Sequence, residues 1–149
     1  MVSKIKTFWN LPLSHKWIFI QIATLVPLVQ LGIKTVKFKR TFRILQFFQK
    51  RRPANPANRL KTVRRYQNYL NLFHKQFPFL GKCLAGSLAL WFLLRRKGIE
   101  TELRFGVKKE DEKLLAHSWI EYRGKLLETQ NSYVPFPGSI LEEVGRLNK

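Results

Sequence analysis

The stretch that decides the predicted fold is residues 83–107, CLAGSLALWFLLRRKGIETELRFGV. Residues 83–94 are apolar on every side, and the basic run 95–97 followed by Gly98 is typical of a helix C-terminus. Residues 99–107 then alternate apolar and polar side chains, which is the pattern of a half-buried strand. The sequence therefore predicts a buried helix, with Cys83 in its first turn, that leads directly into a sheet.

The chain downstream of this stretch predicts an antiparallel hairpin. Residues 108–113 are interpreted as a charged turn, and residues 114–122 and 125–130 as two strands. The dipeptide Arg123-Gly124 between these strands suits a tight hairpin turn. A short helix is expected over 139–147. Helices followed by an antiparallel sheet make an α+β protein.

The chain upstream predicts further helices. Apolar residues recur at steps of three and four over 59–77, and Pro78 should end this helix. Residues 51–58 contain two prolines and two asparagines, so they are interpreted as a connector with Asn58 as the helix N-cap. Two or three helices are expected in 5–50, with a kink at Pro27. We therefore divide the chain into a basic helical region, 1–58, and a core, 59–149.

Charge is distributed unevenly along the 149 residues, which carry 28 Lys and Arg, 9 Asp and Glu, and a formal net charge of +19. Residues 1–82 contain seventeen basic residues and no acidic one, whereas the rest contains eleven basic and nine acidic residues. The first part is therefore expected to bind something anionic: a nucleic acid, an anionic membrane surface, an acidic peptide or an acidic protein. The charge alone does not distinguish among these four kinds of partner.

Composition excludes a disulfide-stabilised protein and a structural zinc protein, and it also bears on cellular location. One cysteine cannot form an internal disulfide, and three histidines without a cysteine pair do not make a zinc cage, so no metal or cofactor is expected. The apolar run 17–33 is shorter than the ~20 residues of a spanning helix and would contact either protein or lipid. We expect a cytoplasmic protein, peripheral to the inner membrane face if this run contacts lipid.

Cys83 and His117 are the candidates for chemistry. Unpaired N–H groups and the positive end of the helix dipole lower the pKa of a thiol in the first turn of a helix. A histidine on a following strand could act as its general base, as in papain-like and transglutaminase-like enzymes. The backbone N–H of Cys83 and the side chain of Gln76 are candidate oxyanion donors. The alternative is that the cysteine and the histidine are both structural.

Four segments carry a family resemblance: CLAGSLAL (83–90), LLRRKGI (93–99), RFGV (104–107) and AHSWIEYRG (116–124). Together they resemble the transglutaminase-like leader peptidases of lasso-peptide biosynthesis, over about residues 80–130. The resemblance implies a cysteine protease that removes the leader from a ribosomally made precursor, with Cys83 and His117 catalytic. It also implies three partners: the precursor's leader peptide, a small leader-recognition protein and the lasso cyclase.

The third catalytic residue is open. The family pattern has an acid about twelve residues beyond the histidine, which here is Thr129, while the nearest acid is Glu128. A two-residue hairpin loop would pair Trp119 with Glu128 and put Glu128 diagonal to His117. A three-residue bulged loop would instead pair His117 with Thr129. We take Glu128 as the candidate, because a carboxylate stabilises an imidazolium; Asn131, or a dyad with no third member, are the alternatives.

A function of another class also fits the composition: a non-catalytic basic module at a membrane or on nucleic acid. Phe38, Phe42, Phe47 and Phe48 interleave with basic residues, as in a platform that stacks nucleic-acid bases. Phenylalanine at this density without a nucleic-acid-binding motif is more typical of a helix-packing face. Nucleic acid is therefore not an expected partner.

Overall fold

The computed structural model describes residues 12–49, 56–80, 83–111, 113–126 and 134–135. The described helices are α1 (Leu13–Phe47), α2 (Arg59–Gln76) and α3 (Cys83–Arg96), with a 3-10 turn at Pro56–Asn58. The described strands are β1 (Glu102–Glu110), β2 (Lys113–Tyr122), β3 (Lys125–Leu126) and β4 (Val134–Pro135). The strands form one antiparallel sheet in the order β3-β2-β1-β4. This is a mixed fold of helices and a small antiparallel sheet; the helix expected over 139–147 lies outside the described residues.

Helix α1 breaks at Lys37 (φ 68, ψ 157), which separates a long arm, 13–36, from a short arm, 38–47. The expected kink at Pro27 is not the break, because helical dihedral angles continue through that residue. Gly32 lies so close to the short arm that a Cβ on it would be 3.1 Å from Thr41 Oγ1. Nine residues of straight helix would separate these two positions by about 13 Å. The short arm therefore folds back on the long arm, and glycine allows the approach.

Helix α2 begins at Arg59, directly after Asn58, as the sequence predicts. Asn58 makes no side-chain capping hydrogen bond, so the predicted position is right but the predicted capping interaction is absent. Val63, Tyr66 and Leu70 are buried, whereas Leu60 at the first turn is 48% exposed. The apolar periodicity thus predicts the middle of the buried face better than its ends, where fewer elements pack.

Helix α3 lies at the centre of the fold, and every residue from Leu88 to Leu94 is buried. The Trp91 ring stacks on Phe42 of the short arm, with ring centroids 4.9 Å apart. At the C-terminus of α3, the N–H of Gly98 (φ 71) donates to the Arg95 carbonyl, and the N–H of Ile99 donates to the Leu94 carbonyl at 3.0 Å. This is a Schellman motif, and it turns the chain out of the helix toward the sheet.

Strands β1 and β2 pair over nine positions, from Glu102 opposite Glu121 to Glu110 opposite Lys113. The strand predicted to begin at residue 99 therefore starts at Glu102, and most of the predicted charged turn 108–113 belongs to the two strands. Backbone pairing extends the ladder even though the charged side chains there give no strand-like pattern. The next turn is as predicted: Arg123 and Gly124 (φ 52 and 71) connect Tyr122 to its partner Lys125.

The long arm of α1 shares one hydrophobic cluster with α2, α3 and the sheet. Its inward residues Ile18, Ile22, Val26 and Val29 belong to this cluster. Burial of these side chains therefore couples the stability of the N-terminal part to that of the chain after residue 59. The domain boundary at residue 58 stays a prediction.

Tyr66 makes the stability of this helical core depend on pH. Its hydroxyl donates to Gln21 Oε1 at 3.2 Å. Desolvation by burial raises the pKa of Tyr66 above its ordinary value of 10.0, against the opposing charges of Arg65 and Arg96. The folded state therefore holds this proton more tightly than the unfolded state. The resulting contribution to the free energy of unfolding is fully present below about pH 10 and is lost as the pH rises further.

We expect Tyr66→Phe to remove part of the fall in stability at alkaline pH. Above about pH 10 the free energy of unfolding should decrease more steeply in the parent than in the variant. At neutral pH the variant should lose about 1 kcal/mol, because the hydrogen bond to Gln21 is gone. Urea unfolding at several pH values measures both effects. Equal slopes in the two proteins would contradict the expected role of Tyr66.

Candidate active site

Cys83 is the first residue of α3, so its backbone stands at the N-terminus of the buried central helix. The first four N–H groups of a helix have no intrahelical acceptor, and the helix dipole makes this end positive. Such a position favours the thiolate of a cysteine over the neutral thiol. The Cys83 side chain itself lies outside the described residues.

A buried hydrogen bond fixes this helix against the strand that carries His117. The Ser87 hydroxyl donates to the Ser118 carbonyl at 2.9 Å. Ser87 lies one turn after Cys83 on the same side of α3, and Ser118 follows His117 directly. The bond therefore joins the beginning of α3 to the middle of β2.

His117 is half-buried in the middle of β2 and faces the side of the sheet opposite to the core residue Ile120. Its ring stacks on the ring of Trp119, with centroids 6.2 Å apart and planes inclined by 22°. The residue opposite His117 on β1 is Gly106. A glycine here leaves the cross-strand position without a side chain, which is a common feature where a ligand approaches a strand.

A row of polar contacts holds Trp119 in place. Trp119 Nε1 donates to Glu121 Oε1 at 3.1 Å, and Arg104 Nε donates to Glu121 Oε2 at 3.2 Å. Arg104 Nη2 also lies 2.9 Å from Glu102 Oε2. Both carboxylate oxygens of Glu121 are thus engaged, and the indole that contacts His117 is anchored at its N–H. Trp119 is therefore suited to orient the imidazole ring.

The sequence alone does not indicate roles for Ser87, Trp119 or Glu121. Alternation along β2 could have indicated two of them, because His117, Trp119 and Glu121 occupy every second position and so share one face. Ser87 had no comparable signal, since a serine in an apolar helix does not reveal its acceptor in the sequence.

Among the described residues, Ser87 joins α3 to β2, whereas the His117 side chain lies on the face of β2 opposite to the core. Glu128, Thr129 and Asn131 lie outside the described residues. Gln76, considered as an oxyanion donor, is exposed at the last position of α2.

The profile of the transglutaminase-like superfamily matches residues 26–136. The chain belongs to this superfamily, whose members are typically cysteine peptidases or transglutaminases. The matched region begins within α1 and includes Cys83, His117 and Glu128. No curated protein and no solved structure matches the chain.

The Ser87 hydrogen bond can be tested against a matched exposed bond. Thr35 Oγ1 donates to the Leu31 carbonyl, also at 2.9 Å, but on the exposed surface of α1. Ser87→Ala should lower the free energy of unfolding by about 1 to 3 kcal/mol, because it leaves a buried carbonyl without this donor. Thr35→Ala should change it by no more than about 0.5 kcal/mol, because water replaces the lost contact. Urea unfolding measures both, and equal effects would show that burial adds nothing to the Ser87 bond.

Proposed function

We propose that the protein is a cysteine peptidase that removes the leader peptide from a ribosomally made lasso-peptide precursor in the cytoplasm. Membership of the transglutaminase-like superfamily supports the chemical class. The four segments that resemble lasso leader peptidases support the substrate. The single observation that carries the proposal is the Ser87–Ser118 hydrogen bond, which joins the helix beginning at Cys83 to the strand of His117.

In this proposal Cys83 is the nucleophile and His117 the general base and acid. His117 takes the thiol proton as sulfur attacks the scissile carbonyl, and the backbone N–H of Cys83 stabilises the oxyanion. The amine product leaves with the proton from His117, while the acyl product stays on sulfur as a thioester. Water then hydrolyses the thioester, His117 accepts the proton of that water, and the thiol is restored.

The hairpin register favours Glu128 as the residue that orients His117. The described part of the hairpin has the two-residue loop, with Glu121 opposite Leu126 and Tyr122 opposite Lys125. The same register continued along β3 would pair Trp119 with Glu128. Glu128 would then share a face with His117 at a diagonal position, where its carboxylate could stabilise the imidazolium.

A basic cleft between α1 and α2 is the surface proposed for the acidic part of the leader or of its recognition protein. The cleft encloses about 450 Å³ and is lined by His15, Lys61, Arg64, Arg65, Asn68 and Tyr69. His15 Nδ1 lies 2.6 Å from the Tyr69 hydroxyl, which ties α1 to α2 at this place. Clustered cations attract anionic ligands and accelerate their association. The lasso cyclase would act on the product and is proposed as a further partner.

The alternative is a non-catalytic basic module at a membrane or on nucleic acid, which the charge of residues 1–82 favours. A stacking platform for bases is less well supported. Phe42 is buried against Trp91, and Phe38 packs on Phe42 and Phe105. Phe47 and Phe48 are exposed, but half of the interleaved phenylalanines are thus used in packing.

Cys83→Ala separates the peptidase from the non-catalytic module. We expect the variant to fold and to leave the precursor uncleaved, because the covalent step needs sulfur. Mass spectrometry of the precursor, incubated with each protein and the recognition protein, measures cleavage, and circular dichroism checks folding. Leader release by the variant at the parent rate would end the peptidase proposal.

The third residue is tested by Glu128→Gln and Thr129→Val. Glu128→Gln should lower the single-turnover cleavage rate by at least about tenfold, since it removes the charge that stabilises the imidazolium. Thr129→Val should leave that rate nearly unchanged. Rates are measured with saturating recognition protein so that docking is not limiting. Impairment of Thr129→Val alone would make the assignment of Glu128 wrong, and two silent substitutions would indicate a dyad.

A further inference from the structure

The long arm of α1 carries an exposed apolar surface, which we call the outer stripe. It consists of Leu13, Trp17, Ile20, Leu28 and Leu31, with exposures of 83, 60, 49, 58 and 58%. Steps of three, four and eight residues keep these side chains on one side of a helix. The stripe extends over about 27 Å at 1.5 Å per residue. An apolar surface of this length on a helix is typical of an interaction site.

The opposite side of the same arm is already occupied. Ile18, Ile22, Val26 and Val29 are at most 6% exposed and belong to the hydrophobic core. The helix is therefore apolar on two sides. For this reason it is long and apolar enough, by length and composition alone, to cross a membrane. Crossing would withdraw the inner side from α2 and α3. While the core is formed, the outer stripe is the apolar side of this described arm that is available to a partner. A flat partner would lie along the length of the helix.

Charge indicates what that partner is. Residues 1–82 contain no acidic residue. Lys34 is exposed one turn after Leu31, and the exposed Lys37 and Lys39 follow at the break and on the short arm. Tryptophan, leucine and lysine in this arrangement are typical of helices that lie in the interface of an anionic bilayer. A second copy of the chain would instead bring two strongly cationic surfaces together, which electrostatic repulsion opposes.

We propose that the outer stripe binds the surface of an anionic lipid bilayer, with the long arm of α1 parallel to the membrane plane. The apolar side chains enter the headgroup and acyl boundary, and nearby lysines contact lipid phosphates. Because α2 and α3 pack on the inner side of this arm, α3 and the sheet face away from the lipid. The site around His117 then stays open to the aqueous phase. This proposal does not depend on the peptidase activity.

The test is flotation of the full chain with lipid vesicles. One set contains phosphatidylcholine alone, and the other contains about 30% phosphatidylglycerol. The variant Trp17→Ser/Leu28→Ser removes two members of the outer stripe. The control Leu60→Ser/Leu72→Ser removes two exposed leucines of α2, which are 48 and 39% exposed. Circular dichroism checks that all of the proteins are folded.

We expect the parent and the control to bind the anionic vesicles and to bind the neutral vesicles much less. The stripe variant should lose at least about tenfold in partition coefficient, because less apolar area leaves water. Unchanged binding of the stripe variant, or no preference for anionic lipid, would each overturn the proposal. A dimer that the stripe substitutions dissociate, without vesicle binding, would assign the stripe to a second copy instead.

Discussion

The hydrogen bond from Ser87 to the Ser118 carbonyl is the contact on which the arrangement of the site depends. Apolar packing between α3 and the sheet is strong but non-directional, so by itself it would allow the helix to slide or rotate on the strand. A buried hydrogen bond has a required distance and angle, and a shifted helix would lose this bond. One such bond therefore selects one position of the helix beginning at Cys83 relative to the strand of His117.

Strand β2 packs on the core with one face and carries the proposed general base, His117, on the other. Ile120 faces the core opposite Leu103, whereas His117 and Trp119 face the other side of the sheet. The contacts of Glu121 with Trp119 and Arg104 hold that second face, where Trp119 is itself buried. His117 is thus held by its neighbours while it stays half-buried, as the base of the proposed mechanism requires.

Helix α1 shows how a single sequence pattern can be compatible with three different structures. A continuous apolar run is compatible with a membrane span, a buried helix, or a helix with one buried and one exposed apolar side. Here the inner side packs on α2 and α3, and the outer stripe is exposed. Only the positions of the neighbouring helices distinguish these cases, because periodicity is weak when both sides are apolar.

The sequence by itself determined the features that depend on near neighbours in the chain. These are the helix from Cys83, its termination at Gly98, the start of α2 at Arg59 and the two-residue turn at Arg123-Gly124. Each rests on dihedral preferences and on contacts within a few residues. Tertiary structure alone decided the break at Lys37, the extent of β1 and β2, and the contacts that fix His117. Those features depend on partners far apart in sequence, such as Gly106 opposite His117, whose pairing no local pattern encodes.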